Sequence, residues 1–94
     1  MRFNDLQDVK LANWKAGQHW FDEDTISFFK CKFETGLIDG RYFITSEKSP
    51  NNPRRWTIRE VDVQGHIHNV GAFQQYKSLR GARAGLTLHK EGLK

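Results

Sequence analysis

At Arg41 the spacing of apolar residues changes from a helical period to a period of two, and this change limits the folds open to the chain more than any other feature. Arg41 to Lys48, Arg54 to Asp62 and His66 to Phe73 are each rich in β-branched or aromatic residues and are separated by turn signals. Ser49-Pro50-Asn51-Asn52-Pro53 holds both prolines of the chain and reads as a long hairpin loop, Val63-Gln64-Gly65 as a tight one, and Asp39-Gly40 as the turn into the first strand. A three-stranded antiparallel β-meander is the simplest account. In its second strand Trp56 and Ile58 share one face, read as the core face, and Arg55, Thr57 and Arg59 share the other, read as open to solvent. Tyr42 and Ile44 oppose Arg41, Phe43 and Thr45 in the first strand; His66, His68 and Val70 oppose Ile67 and Asn69 in the third. Which of those faces is buried stays open, because a one-residue bulge turns a strand over.

Helical patterns flank the meander. Asn4 followed by Gln7 has the spacing of a capping box, and Leu6, Val9, Ala12, Asn13 and Ala16 recur at helical spacing until Gly17, which predicts a helix over 5–16. Asp22 as cap, Phe21 and Ile26 at staple spacing and Glu23 and Asp24 in the first turn predict a short second helix over 23–31, with Phe28 and Phe29 as its buried face. Trp20 and Phe21 plug the corner between the two. Ser78 can cap a final helix whose apolar stripe is Leu79, Ala82 and Leu86. Gly81 and Gly85 each weaken that helix by roughly 1 kcal/mol relative to Ala, a cost that close packing against the sheet would offset. The expected architecture is a single α+β domain over 1–94, with the C-terminal helix packed on one sheet face.

Seven Phe and three Trp imply a core of a few large rings. Cys31 is the lone cysteine, so an intramolecular disulfide and the usual multi-thiolate zinc sites are excluded, and its expected role is that of a small buried hydrophobe. The N-terminus lacks a secretion-signal pattern and no apolar run approaches the roughly 20 residues that span a bilayer; a cytoplasmic location, in a host cell, is expected. Residues 1–40 carry five Lys/Arg against seven Asp/Glu, a net −2, while 41–94 carry ten against four, a net +6. A basic C-terminal half suits a polyanionic partner, either nucleic acid or an acidic protein face.

The candidate binding residues are Arg54, Arg55, Thr57 and Arg59 on the second strand and its lead-in, Lys77, Arg80 and Arg83 around the last helix, and Trp14. Guanidinium groups in a row on an open sheet can meet phosphates or a major groove; the bland reading is that they balance Glu47, Glu60 and Asp62 across strands. Trp14 falls off the Leu6, Val9, Asn13 stripe and so stands outward as a partner anchor. Trp20, Phe28, Phe29 and Phe33, at helical spacing, are read as core. His66 and His68 alternate on one strand, but no further ligand stands at metal-site spacing, and no nucleophile motif, P-loop or dinucleotide fingerprint occurs. No catalytic residue, metal or cofactor is expected, and the chain is read as non-enzymatic.

The order of helix, three strands and helix resembles double-stranded RNA-binding domains in topology, although their lysine cluster is replaced here by Lys77-Ser78-Leu79-Arg80. Trp56 to Arg59, Gly65-His66, Val70 to Phe73, Ser78-Leu79 and Ala82 are similar to the sheet-plus-helix of AP2-type and phage integrase arm-binding domains. Across residues 12–84, Ala12-Asn13, Gly17 to Phe21, Phe28-Phe29, Gly40 to Glu47, Pro53 to Arg59 and Val70 to Tyr76 resemble a family of short proteins of unassigned role carried by phages, plasmids and other mobile elements. That resemblance implies a small protein that binds and blocks a host or defence complex, as anti-CRISPR inhibitors do. Many such inhibitors are acidic nucleic-acid mimics, and a net charge of +4 departs from that pattern. Two functions are therefore expected in order: inhibition of a host or defence protein complex through a basic surface, and direct DNA or RNA binding. A homodimer through an unpaired edge strand remains open.

Overall fold

The computed structural model describes residues 3–92, so the outermost residues of the expected 1–94 domain lie outside it. Helix α1 spans Leu6–Lys15, α2 Glu23–Phe28 and α3 Leu79–Gly92, and the strands are β1 Lys32–Phe33, β2 Tyr42–Glu47, β3 Arg55–Val61 and β4 Ile67–Val70. The strands form one antiparallel sheet in the order β1-β2-β3-β4. The expected meander is thus present with a fourth, two-residue strand at its edge, too short to carry a period in sequence. No described helix is long and apolar enough to cross a membrane.

Helix α1 starts one residue later than the capping pattern implied. Asp5, not Asn4, is its cap: the Asp5 carboxylate accepts from Asp8 N at 2.9 Å, while the Asp8 carboxylate accepts from Asn4 N at 3.3 Å. Asp at both positions also places negative charge at the positive helix end. Gly17, at φ +83°, ends the helix as expected. Helix α2 stops three residues short of the expected 31, because Lys30 turns into the left-handed region at φ +48° and Cys31 N closes back on Ile26 O at 2.9 Å. The chain then extends straight into β1. Ser78 Oγ accepts from Gly81 N at 3.0 Å and caps α3, as expected.

Both faces of the sheet are covered, and this overturns the reading of β3 as a strand with one open face. Tyr42, Ile44 and Ile58 pack with Ala82 and Leu86 of α3 on one side; Val9 of α1 packs with Phe43, Val61 and Ile67 on the other. Trp20, Phe21 and Phe33 complete the second core around Phe43, with ring centroids 4.9–6.5 Å apart. Arg59 and Thr57 lie on that second, covered face and are buried. Phe28, read as core from its spacing, is instead largely exposed and rests edge-on against Phe29, while Phe33, also read as core, is partly exposed at the margin of the second cluster.

Helix α1 is held by an amide relay that starts from buried Asn13. Asn13 Nδ2 donates to Gly65 O (2.9 Å) and Gln18 Oε1 (2.6 Å), and Asn13 Oδ1 accepts from Trp20 N (2.7 Å). Gln18 in turn accepts from Ile67 N at 2.7 Å and donates to Ile67 O at 3.1 Å, so a side-chain amide partners the outer backbone of edge strand β4. The fit is close enough that a Cβ at Gly65, which has φ +97°, would stand 2.7 Å from the Ala12 backbone.

After β4 the chain crosses back, and Tyr76 pairs with Trp56 through reciprocal backbone hydrogen bonds of 2.8 and 3.1 Å. This crossing lays the Tyr76 ring on Gly85 of α3, where an added Cβ would meet Tyr76 Oη at 2.2 Å. Gly85→Ala would raise intrinsic helix propensity by about 1 kcal/mol, yet the collision reverses the sign. Thermal unfolding of this variant should show a lower Tm, with a net loss of about 1–3 kcal/mol typical of overpacking.

Candidate functional site

The eight residues singled out from the sequence separate into four groups. Thr57 and Arg59 face the buried side of β3 toward α1 and α2. Arg59, 6% exposed, forms an ion pair with Glu47, 2% exposed, at 3.3 Å between Nη2 and Oε1. Its Nε donates to Thr45 Oγ1 at 3.1 Å and its Nη1 donates to Asn69 Oδ1. The Trp20 and Phe73 rings lie over the guanidinium with centroids at 5.1 and 5.3 Å. Thr57 donates to Glu47 Oε1 at 2.8 Å and accepts from Gln74 N at 2.8 Å. Neither residue is placed to read a nucleic acid or dock a partner; their part is to close a polar network inside the second core.

Arg54 is a latch. Its Nη1 donates to Lys30 O (3.0 Å), Ser46 O (3.1 Å) and Ser46 Oγ (2.7 Å), which ties the proline loop to the end of α2. Arg55, Lys77, Arg80 and Arg83 form the third group. The Trp56–Tyr76 bridge sets Lys77 across from half-buried Arg55, and Arg80 and Arg83 lie one turn apart on the outer side of α3, all three of the latter exposed. Among the described residues the ion pairs join Arg41 to Glu60, Arg59 to Glu47, His66 and His68 to Asp62, and Lys90 to Asp39; none engages this third group. Among the described residues these four cations have no ion-pair partner: Lys77, Arg80 and Arg83 stand at the start of α3, while Arg55, across from Lys77, shares the Thr57 and Arg59 side of β3, which faces away from α3.

Trp14 is the one residue of the eight carried by α1 itself. It is 66% exposed and, with Leu11 and Phe21, lines a concavity of about 430 Å³. The outward placement read from its position off the helical stripe is what the structure has.

Spacing gave no notice of Glu47, Gln74 and Cys31 as a group. Gln74 Nε2 donates to Glu47 O at 3.1 Å, and the Cys31 thiol reaches Glu47 Oε2 at 3.7 Å. Burial, reinforced by the Glu47 charge, pushes the Cys31 thiol up to about 11, so it stays protonated and unreactive at neutral pH. Burial also pulls the Arg59 guanidinium below its ordinary value, a shift that Glu47 opposes. The network forms the floor of an open cleft of about 240 Å³ walled by Trp20, Ile26, Phe29 and Phe73. The available sequence signal was the alternation Phe43, Thr45, Glu47 beside Thr57, Arg59, which the register Thr45↔Thr57 brings onto one face.

His66 and His68 do point the same way, but to a carboxylate. Asp62 Oδ2 lies 2.9 Å from His68 Nε2 and 3.8 Å from His66 Nδ1, while Oδ1 accepts from Gln64 N (2.9 Å) and His66 N (3.0 Å) to shape the β3–β4 turn. Among the described residues no group of three or more His, Cys, Asp and Glu is arranged to hold a metal.

Fold and site together define a small α+β protein with a buried ionic pair and exposed cations at the start of its last helix. The chain belongs to the family of unknown function DUF7447, which matches it over residues 5–87, from the α1 cap to the last turns of α3. No curated protein and no solved structure matches it.

Two outcomes follow from this geometry. Arg59→Met leaves the Glu47 charge buried without its partner and should cost roughly 3–5 kcal/mol in urea denaturation, whereas the double change Glu47→Leu with Arg59→Met should lose clearly less than Arg59→Met alone. The hydrogen bond from His68, seconded by the His66 and Gln64 backbone, holds the Asp62 carboxyl below its ordinary range. A lowered folded value means that stability is present above the unfolded value and is lost as pH falls through the folded one. Asp62→Asn should therefore be less stable than wild type at neutral pH, with the gap closing as acid unfolding profiles pass below the usual carboxylate range.

Proposed function

We propose that this chain is a non-enzymatic binding protein of mobile-element type that inhibits a host or defence protein complex by docking its cationic rim on an acidic surface of that complex. The observation that supports this reading is the placement of Lys77, Arg80 and Arg83 at the start of α3, with Arg55 at the adjoining strand end, all without carboxylate partners among the described residues. Unpaired guanidinium groups keep their full donor capacity for carboxylates or phosphates and raise association rates with acidic partners. Arg59 and Thr57 are not part of this surface, and Arg54 contributes only through the loop it holds. Trp14 lies on the α1 side rather than on α3, so a partner touching both must wrap an edge of the sheet.

Direct DNA or RNA binding is the second reading, favoured by Arg80 and Arg83 standing outward on a 14-residue helix with Lys77 just ahead of it. The two readings separate in one experiment. The tagged chain is used to capture partners from a host lysate with and without nuclease, beside a variant carrying Arg55→Ala, Arg80→Ala and Arg83→Ala. Inhibition of a protein complex predicts a stoichiometric protein partner that survives nuclease and is lost with the variant. Direct nucleic-acid binding predicts capture abolished by nuclease, and a salt dependence of duplex binding whose log–log slope falls by about 1 for each phosphate-contacting arginine removed. Wild-type and variant capturing the same material would remove the rim from both readings.

A further inference from the structure

The cleft over the ionic network lies on the α1 and α2 side of the sheet, away from the outer side of α3, and its chemistry differs from that of the cationic rim. Its walls are largely aromatic and apolar, Trp20, Phe29, Phe73 and Ile26, with His19 as their one polar member. Its floor carries opposite charges, because Glu47 and Arg59 offset one another. A free cation or anion gains little there. What the floor lacks is a donor.

Arg59 is well supplied, with Nε on Thr45, Nη1 on Asn69, Nη2 on Glu47, and two rings against it. Glu47 is not. Oε1 accepts from Thr57 at 2.8 Å and meets Arg59 Nη2 at a loose 3.3 Å, but Oε2 has only the Cys31 thiol, a weak donor, at 3.7 Å. An ionised carboxylate has about four lone-pair sites, and one buried to 2% exposure with an oxygen so poorly served favours any donor that can reach it. Buried ion pairs also add little stability over an apolar core, so a charged floor beneath an open aromatic cleft points to recognition more than to folding.

We infer that this cleft binds a small planar heteroaromatic molecule through one ring N–H donated to Glu47 Oε2, with the ring held against Trp20, Phe29 and Phe73. The proposal does not depend on the cationic rim. A cleft of about 240 Å³ admits one such ring system, and edge or face contact with aromatic walls supplies affinity without net charge.

The test is titration of the full-length ¹⁵N-labelled chain with indole and, separately, with benzofuran, which keeps the shape but replaces the N–H by an acceptor oxygen. Indole should give saturable shifts confined to the amides of Trp20, Phe29, Cys31 and Phe73 and to the Arg59 Nε–H. Benzofuran should bind about tenfold more weakly, the discrimination expected from one hydrogen bond to a charged group. Ile26→Trp, which fills the cleft without touching the network, should abolish the indole shifts while leaving the remaining spectrum folded. Equal affinity for the two probes would overturn the role of Glu47. Absence of saturable indole shifts, shifts centred on Trp14 instead, or indole binding unchanged in Ile26→Trp would each overturn the site.

Discussion

Arg59 and Glu47 meet inside the sheet, and the placement of the surrounding elements is constrained by burying and partnering that pair. A guanidinium and a carboxylate out of water are tolerated only when nearly every donor and acceptor is met. Thr45 on β2 and Asn69 on β4 accept from the guanidinium, Thr57 on β3 donates to the carboxylate, and Gln74 in the crossover holds Thr57 by donating to its hydroxyl. The Trp20 and Phe73 rings both lie against the guanidinium. The pair therefore requires the β2–β3 register, the N-terminal corner at Trp20 and the crossover past Phe73 to be correct at once. Asn13 and Gln18 bring the corner into place by joining α1 to the hairpin and to the outer edge of β4.

Burying Arg59 moves the accessible charge elsewhere. The basic half of the sequence does not become a basic sheet; one of its arginines serves the core, Arg54 braces a loop, and Lys77, Arg80 and Arg83, without ion-pair partners among the described residues, stand where the crossover feeds α3. The opposite side of the sheet presents Trp14, Leu11, Phe28, Phe33 and Phe73 instead. The protein thus offers an electrostatic surface and an aromatic one, separated by the sheet, a division that suits a small chain with two kinds of contact to make. Membership of the DUF7447 family, spanning α1 to α3, places both surfaces within the matched region.

Much of the fold was legible in sequence. Period-two runs with turn residues between them gave β2, β3 and β4 to within three residues at each end, and Ser78 gave the start of α3. The short β1 carried no pattern, and the end of α2 turned on Lys30 in a left-handed conformation, which a lysine does not advertise. The sidedness of β3 was misread for a physical reason. Alternation reports polar against apolar, and it equates polar with solvent. Thr57 and Arg59 are polar and buried because Glu47 lies on the same face of the adjacent strand, information that resides in the pairing register rather than in either strand alone. Trp14 was placed correctly because its departure from the stripe is a property of one helix.

The side-chain Nε–H of Arg59, observed directly by NMR, tests the buried pair most directly through its exchange with solvent. Donating to Thr45 Oγ1 between β2 and β3, it should exchange at least about tenfold more slowly than the Nε–H of exposed Arg80, because exchange must await an opening of the core. Equal exchange at the two arginines would mean that Arg59 meets water freely, and the account of a buried ionic pair with its cationic surface displaced to α3 would be wrong.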